Sequence, residues 1–227
     1  MSTTTEARTV CVARRRDPLL ALGAITSFVV TFAVLLIPHD SLADSPSAAE
    51  ATAFFEQNYL IQQSQTVMHS LGAVALLVFL ARLASVVRRH EGADEGWSSL
   101  TLAAGAALVA TIVLSMGFVS ATIHLTGTID GGLQEMLYLI GWDVHFKVAY
   151  LVPLVLLPAC DVLRRAGAGP AVLTWSGTAL GALTLVGTLG NLNPVTMVVQ
   201  YPFFMLFLLW CLAAGLVLGV RGVRAGS

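Results

Sequence analysis

The chain has 227 residues, 56% of them hydrophobic and 11% charged, with a formal net charge of −1; a soluble domain of this size carries about a quarter charged residues. A mean hydropathy of +0.81 and long charge-free stretches exclude an ordinary cytosolic globule and predict an all-α, polytopic helix bundle in a membrane. The basic residues flank apolar runs, where they mark orientation, so no nucleic-acid partner is expected.

A helix needs roughly 20 apolar residues to cross about 30 Å of hydrocarbon, and six such windows follow one another. The first, 19–38, begins after a basic N-terminus (1–18) that includes Arg14, Arg15 and Arg16. Ser41, Leu42 and Ala43 faintly resemble a signal-peptide cleavage site, but the run exceeds the usual apolar region of about 7 to 15 residues and is read as a retained span. The second window, 65–87, ends at Arg88 and Arg89, and the third covers 98–120. The fourth, 143–163, closes at Arg164 and Arg165 and contains Pro153 and Pro158, which can bend it. From Ala166 to Val220 there is no charge, with Asn191, Asn193 and Pro194 near the middle. That pattern predicts a hairpin of 170–189 and 198–220, followed by a short basic tail, 221–227.

The arginines are read as terminal or inter-helix, and an even number of spans then puts all of them on one side, with both termini cytoplasmic. The opposite loops, 39–64, 121–142 and 191–199, contain no Arg. Two segments there have apolar residues near helical spacing: 46–65, with Phe54, Phe55 and Tyr59, and 131–141, with Leu133, Met136, Leu137 and Ile140. They are expected to lie along the membrane surface and roof the outer face. Small residues at Ala103 to Ala107 and at Gly177, Gly181 and Gly187 predict close helix approach, which would put the third and fifth spans centrally in the bundle. Cys11, Cys160 and Cys211 share no motif spacing, so neither a disulfide framework nor a zinc motif follows. A weak likeness between Arg88-Arg89 followed by Trp97 and Arg164-Arg165 followed by Trp175 is read as shared loop chemistry, since Arg and Trp both favour membrane interfaces.

Ionisable groups are costly in lipid, so their positions point to function. His69, His124, Asp143, His145 and Lys147 fall near the outer ends of the second, third and fourth spans, with Glu135 close by. An outward-facing vestibule would use His69, His124, Lys147, Asn191 and Asn193. A metal site would use His69, His124 and His145, although no HExxH or CxxC spacing supports one. If the protein is an enzyme, Asp143, His145 and Glu135 are the acid–base candidates. The plainer readings are hydrogen-bonded interfacial histidines, an Asp143–Lys147 pair at i, i+4 that makes the lysine tolerable, and a Ser120 beside His124 that bonds its own helix.

The run Ser45-Pro46-Ser47-Ala48-Ala49-Glu50 through Phe54-Phe55-Glu56-Gln57-Asn58-Tyr59, the loop Arg88-Arg89-His90-Glu91-Gly92, and Leu163-Arg164-Arg165 followed by Trp175 resemble a broad group of uncharacterised six-helix integral membrane proteins of actinobacteria. The resemblance covers most of the chain. It implies a six-helix fold in a bacterial cell membrane, and no activity or cofactor. The expected function is therefore architectural first: a multi-pass plasma-membrane protein in contact with lipid, whose polar vestibule binds or helps move a small lipophilic molecule. An intramembrane enzyme acting on a lipid or isoprenoid, a haem or metal carrier, and a structural partner with no ligand are the alternatives.

Overall fold

Several helices begin where a side chain can take up their free amide groups. The computed structural model describes residues 14–37, 47–189, 197–220 and 223–224; His39, Asn191 and Asn193 lie outside the described residues. Helix α1, Pro18–Leu35, has Pro18 in its first turn and the Asp17 carboxylate accepting the Leu20 N–H at 3.3 Å. Helix α2, Ala48–Gln57, opens with a capping box in which Ser47 and Glu50 satisfy each other's backbone N–H groups. Asn58 separates it from α3, Tyr59–Arg88. Helix α4, Trp97–His124, follows Gly96, whose φ of 67° is open to glycine and strained for most other residues.

A single helical run of 35 residues then extends from Gly131 to Arg165. It consists of α5, Gly131–Phe146, a 3₁₀ turn over Lys147–Leu151, and α6, Val152–Arg165. Pro153 accounts for the break: it lacks the N–H that would bond the carbonyl four residues earlier, and its ring disfavours a helical turn directly before it. Helix α7, Ala171–Leu189, and α8, Met197–Ala214, follow, the latter continuing into a π-helical turn, Gly215–Val220. Arg14–Arg15 pair antiparallel with Val223–Arg224, bringing the two basic ends of the described chain together.

The runs Tyr59–Arg88, Trp97–His124, Gly131–Arg165, Ala171–Thr188 and Pro202–Val220 are long and apolar enough to cross a membrane, which makes this a multi-pass membrane protein by length and composition. Several expected boundaries move. The second window starts at Tyr59 instead of residue 65, and the fourth is the lower part of the Gly131–Arg165 run. Segment 131–141 does not form a separate surface helix. It runs antiparallel to α4, with Gln134 Nε2 donating to Thr122 O at 3.1 Å and to Thr126 Oγ1 at 2.6 Å, Gly141 against Ser115, and His145 bonded to Ser115. Gly141 permits this approach because a Cβ there would stand 3.0 Å from the Ser115 carbonyl oxygen. Gln134 is fully buried and also meets Thr52 of α2. Gln134→Leu is expected to cost about 2 kcal/mol by stranding these partners, read as a lower midpoint of thermal unfolding in detergent.

Leu76, Phe79, Leu80 and Leu83 of α3 and Val155, Leu156, Ala159 and Leu163 of α6 are buried, and they form the core with Leu108 of α4 and Phe207 of α8. The expectation of two central small-residue helices divides. Helix α4 packs against α3, α5 and α6, with Gly105 against Leu80. Helix α7 sits at the edge: Gly177 and Gly181 face Trp210, Leu156 and Leu157, while Val172, Trp175, Leu183 and Val186 are exposed. One glycine face secures one contact surface, and the apolar remainder of such a helix can face lipid.

The arginines are not all terminal or in loops. Arg82 lies within α3 and forks onto Asp17, with Nη2 at 2.7 Å and Nε at 3.0 Å from Oδ2, and Arg89 adds a contact at 3.8 Å. At the same end of the bundle, Glu95 of the α3–α4 loop pairs with Arg165 at the end of α6. The guanidinium holds the Glu95 carboxyl below its ordinary range. Trp175 stacks under Arg164 at 4.8 Å.

Candidate functional site

The candidate groups separate according to the face of the helix that carries them. On α5, residues 134, 138, 141 and 145 follow the period that turns toward α4, and of these Gln134, Gly141 and His145 are buried. Glu135, Leu139 and Asp143 follow the same period on another face, where they line a surface groove of about 500 Å³ with Gly132, Met136 and Ile140. Asp143 is bonded there to Lys147 at 3.1 Å, and both are exposed to a comparable degree. The three acid–base candidates therefore do not form one site: His145 points inward, and Glu135 and Asp143 point outward.

His124 is also set apart. It is exposed, bonds the Ser120 carbonyl at 2.8 Å through Nδ1, and lies edge-to-face with Tyr59 at 6.3 Å. Ser120 Oγ stands 3.3 Å from the same nitrogen, and no carboxylate among the described residues bonds this His124 ring to make an activated hydroxyl of Ser120. Between Ser115, which faces His145, and His124, α4 rises about 13 Å at 1.5 Å per residue. The expected three-histidine set is thus reduced to a pair.

That pair is His69 and His145, with ring centroids 5.6 Å apart and planes at 85°. Each ring is oriented through Nδ1. His69 Nδ1 donates to the Gln65 carbonyl at 2.9 Å. His145 Nδ1 lies 3.2 Å from Ser115 Oγ, and the Ser115 hydroxyl proton is directed to the Ile112 carbonyl at 2.7 Å, which leaves Oγ as an acceptor. In a neutral ring with Nδ1 donating, the Nε2 lone pair is available. With the protons placed this way, both imidazoles take the tautomer that binds through Nε2.

The two rings line a small cavity of about 10 Å³ with Ser27, Thr31, Gly72, Ile112 and Phe204, about the space of one water molecule. Ser27 is 1% exposed and its Oγ has no hydrogen-bond partner among the described residues, although buried hydroxyls are normally satisfied. Gly72 keeps the wall thin, since a Cβ there would meet Thr31 Oγ1 at 2.8 Å. Trp142 and Phe204 flank His145 at 5.5 and 6.1 Å, and Trp142 also contacts His69 at 6.5 Å. The aromatic contacts continue through Tyr138 to Phe55 of α2, at 6.2 and 5.3 Å.

Ser27 and Thr31 do not stand out as site residues in the sequence, where they are scattered with Thr26 through an apolar run. Ser115 carried one usable signal, its position in the same helix as the Ser120–His124 step. The chain matches no family model, no curated protein and no solved structure, so the site is characterised by its own geometry.

Proposed function

We propose that this is a six-span protein of a bacterial plasma membrane, with both termini cytoplasmic, that holds a small cation at the His69–His145 pair. The single observation that carries this reading is the pair itself: the buried His145 and the half-buried His69, each oriented through Nδ1, line one small cavity with the Ser27 hydroxyl, which is unpartnered among the described residues. Metal-binding histidines are oriented in this way, by an acceptor on the other ring nitrogen. The orientation rests on the gathering of Arg82, Arg89, Arg165 and the two basic chain ends at one end of the bundle. His69 then lies in the outer half of α3, about 20 Å above Arg82. Helix α1, with 18 residues, rises about 27 Å and supplies the sixth span.

The cavity suits an ion or a water far better than a porphyrin or an isoprenoid chain. The expected test is elemental analysis of detergent-purified protein that has been exposed to mixed transition-metal salts anaerobically in the presence of ascorbate and desalted. Close to one ion per chain should be retained, and His69→Ala and His145→Ala should each lose it, while His124→Ala retains it. Metal-free wild-type protein would remove this reading.

A second reading rests on the outer groove. Met136, Leu139 and Ile140 lie there between Glu135 and Asp143, a combination suited to a lipophilic molecule with a basic or hydroxyl head group. Leu139→Trp would then reduce lipid or ligand co-purification and leave metal retention unchanged.

A further inference from the structure

We infer that the ion held by His69 and His145 is a monovalent copper-group cation, Cu(I) in the cell, bound between the two Nε2 atoms with the Ser27 hydroxyl as a weak third contact; this rests on the cation reading above. Three properties of the site select this class.

The first is charge. Among the described residues no carboxylate or thiolate lines the cavity, and no group of three or more His, Cys, Asp and Glu side chains gathers anywhere. An ion here is therefore balanced by no anion from those residues. The cost of transferring an ion into a low-dielectric interior rises as the square of its charge, so a divalent ion pays four times the penalty of a monovalent one. With neutral donors alone, the monovalent ion is favoured.

The second is donor type. Alkali ions prefer oxygen cages, and structural Zn²⁺ takes four donors in a tetrahedron. This site has two imidazoles and hydroxyls. Imidazole binds copper well, and a filled-shell monovalent ion accepts two donors without further ligands.

The third is spacing. A metal–nitrogen bond of about 2 Å to each ring requires ring centroids on the order of 6 Å apart. The observed separation is 5.6 Å, which puts the two rings within bridging distance of one ion when both Nε2 atoms turn toward it. Ser115 and the Gln65 carbonyl are positioning groups, since they hold the rings without reaching the ion.

The test is an anaerobic titration of the detergent-purified full chain with Cu(I), delivered from a chromophoric chelator in the presence of ascorbate, with Ag(I) as an air-stable substitute and Zn(II) as the divalent comparison. One Cu(I) per chain is expected, bound at least 100-fold more tightly than Zn(II). His69→Asn and His145→Asn should each weaken it at least 100-fold. Ser115→Ala keeps both imidazoles and should weaken it about tenfold. X-ray absorption at the copper edge of wild-type protein should show low-coordinate nitrogen ligation, a readout that does not depend on whether a variant folds. Sulfur ligation would overturn the assignment and point to the buried thiols Cys160 and Cys211. Zn(II) binding as tightly as Cu(I) would overturn the monovalent inference and leave the cation site standing. Failure to bind any of the three ions would remove both.

Discussion

Asp17→Ala is expected to destabilise the protein by about 2 to 3 kcal/mol, with about 1 kcal/mol of that from the lost helix cap. Asp17 is 5% exposed and does three things. Its carboxylate caps α1 at Leu20, it receives a forked bond from Arg82, and its backbone N–H donates to the Gly219 carbonyl at 2.9 Å. Removing the carboxylate strands the Arg82 guanidinium and takes away the longer Arg89 contact, although Arg89 Nε keeps the Ser85 carbonyl at 3.0 Å. The two arginine side chains are 39% and 36% exposed, so water recovers part of the loss, and the expected cost lies below the 3 to 5 kcal/mol of a fully buried pair. Asp17→Asn retains a capping oxygen and should recover the cap fraction alone. Thermal unfolding in one detergent separates the two; equal midpoints for both variants and wild type would show that the pair contributes nothing.

The same residue sets a pH dependence. Burial alone would raise the Asp17 carboxyl, but the Arg82 bond, the Leu20 N–H and the nearby guanidiniums outweigh it and hold the group below its ordinary value of 3.8. A carboxyl depressed in the folded state contributes stability that is complete above its unfolded value and is lost as pH falls through the folded one. Stability attributable to Asp17 should therefore be constant from neutral pH down to about pH 5, and decline below about pH 4. Asp17→Asn should flatten that decline, measured as unfolding midpoint against pH.

Gly219→Leu is expected to cost about 3 kcal/mol or more, at the upper end of what overpacking produces. Gly215 and Gly219 are four residues apart on the π-helical turn and receive α1. A Cβ at Gly219 would stand 2.8 Å from Ala21 N and 2.9 Å from Asp17 O, and one at Gly215 would collide with the Ala24 Cβ. At Gly219 the obstacles are mostly backbone atoms, which cannot rotate away. The new side chain would also separate Asp17 N from Gly219 O and so weaken the α1 cap at the same time. Gly117, in the interior of α4, is the matched control, because a Cβ there would meet nothing within 4 Å. Gly117→Ala should be neutral or gain about 0.5 to 1 kcal/mol from helix propensity. Similar midpoints for the two variants would contradict the packing account.

The class of protein was legible because it depends on local quantities. Apolar windows, the charges that end them, and the Asn191–Pro194 interruption could be counted along the chain, and the helical runs fall close to those windows. Helix starts at Asp17-Pro18 and Ser47-x-x-Glu50 also depend on neighbours within one turn.

The site was legible only in its residue list. His69, His124, His145, Glu135 and Asp143 are similar candidates when judged by position along the chain. The helical face decides among them: a step of two residues from Asp143 to His145 turns the side chain by about 200°, from the surface groove to the interior. Along the chain Arg82 groups with the other orientation-setting arginines, yet its partner is 65 residues away at the start of α1. Composition and spacing by themselves determined that the chain forms long apolar helices, because the free energy of moving backbone and side chains out of water is a sum over local segments. Only the tertiary structure decided that His69 meets His145 and leaves His124 behind, because that pairing depends on the register and rotation of α3, α4 and α5 against one another, set by contacts such as Gly141 on Ser115 and Gln134 on Thr122.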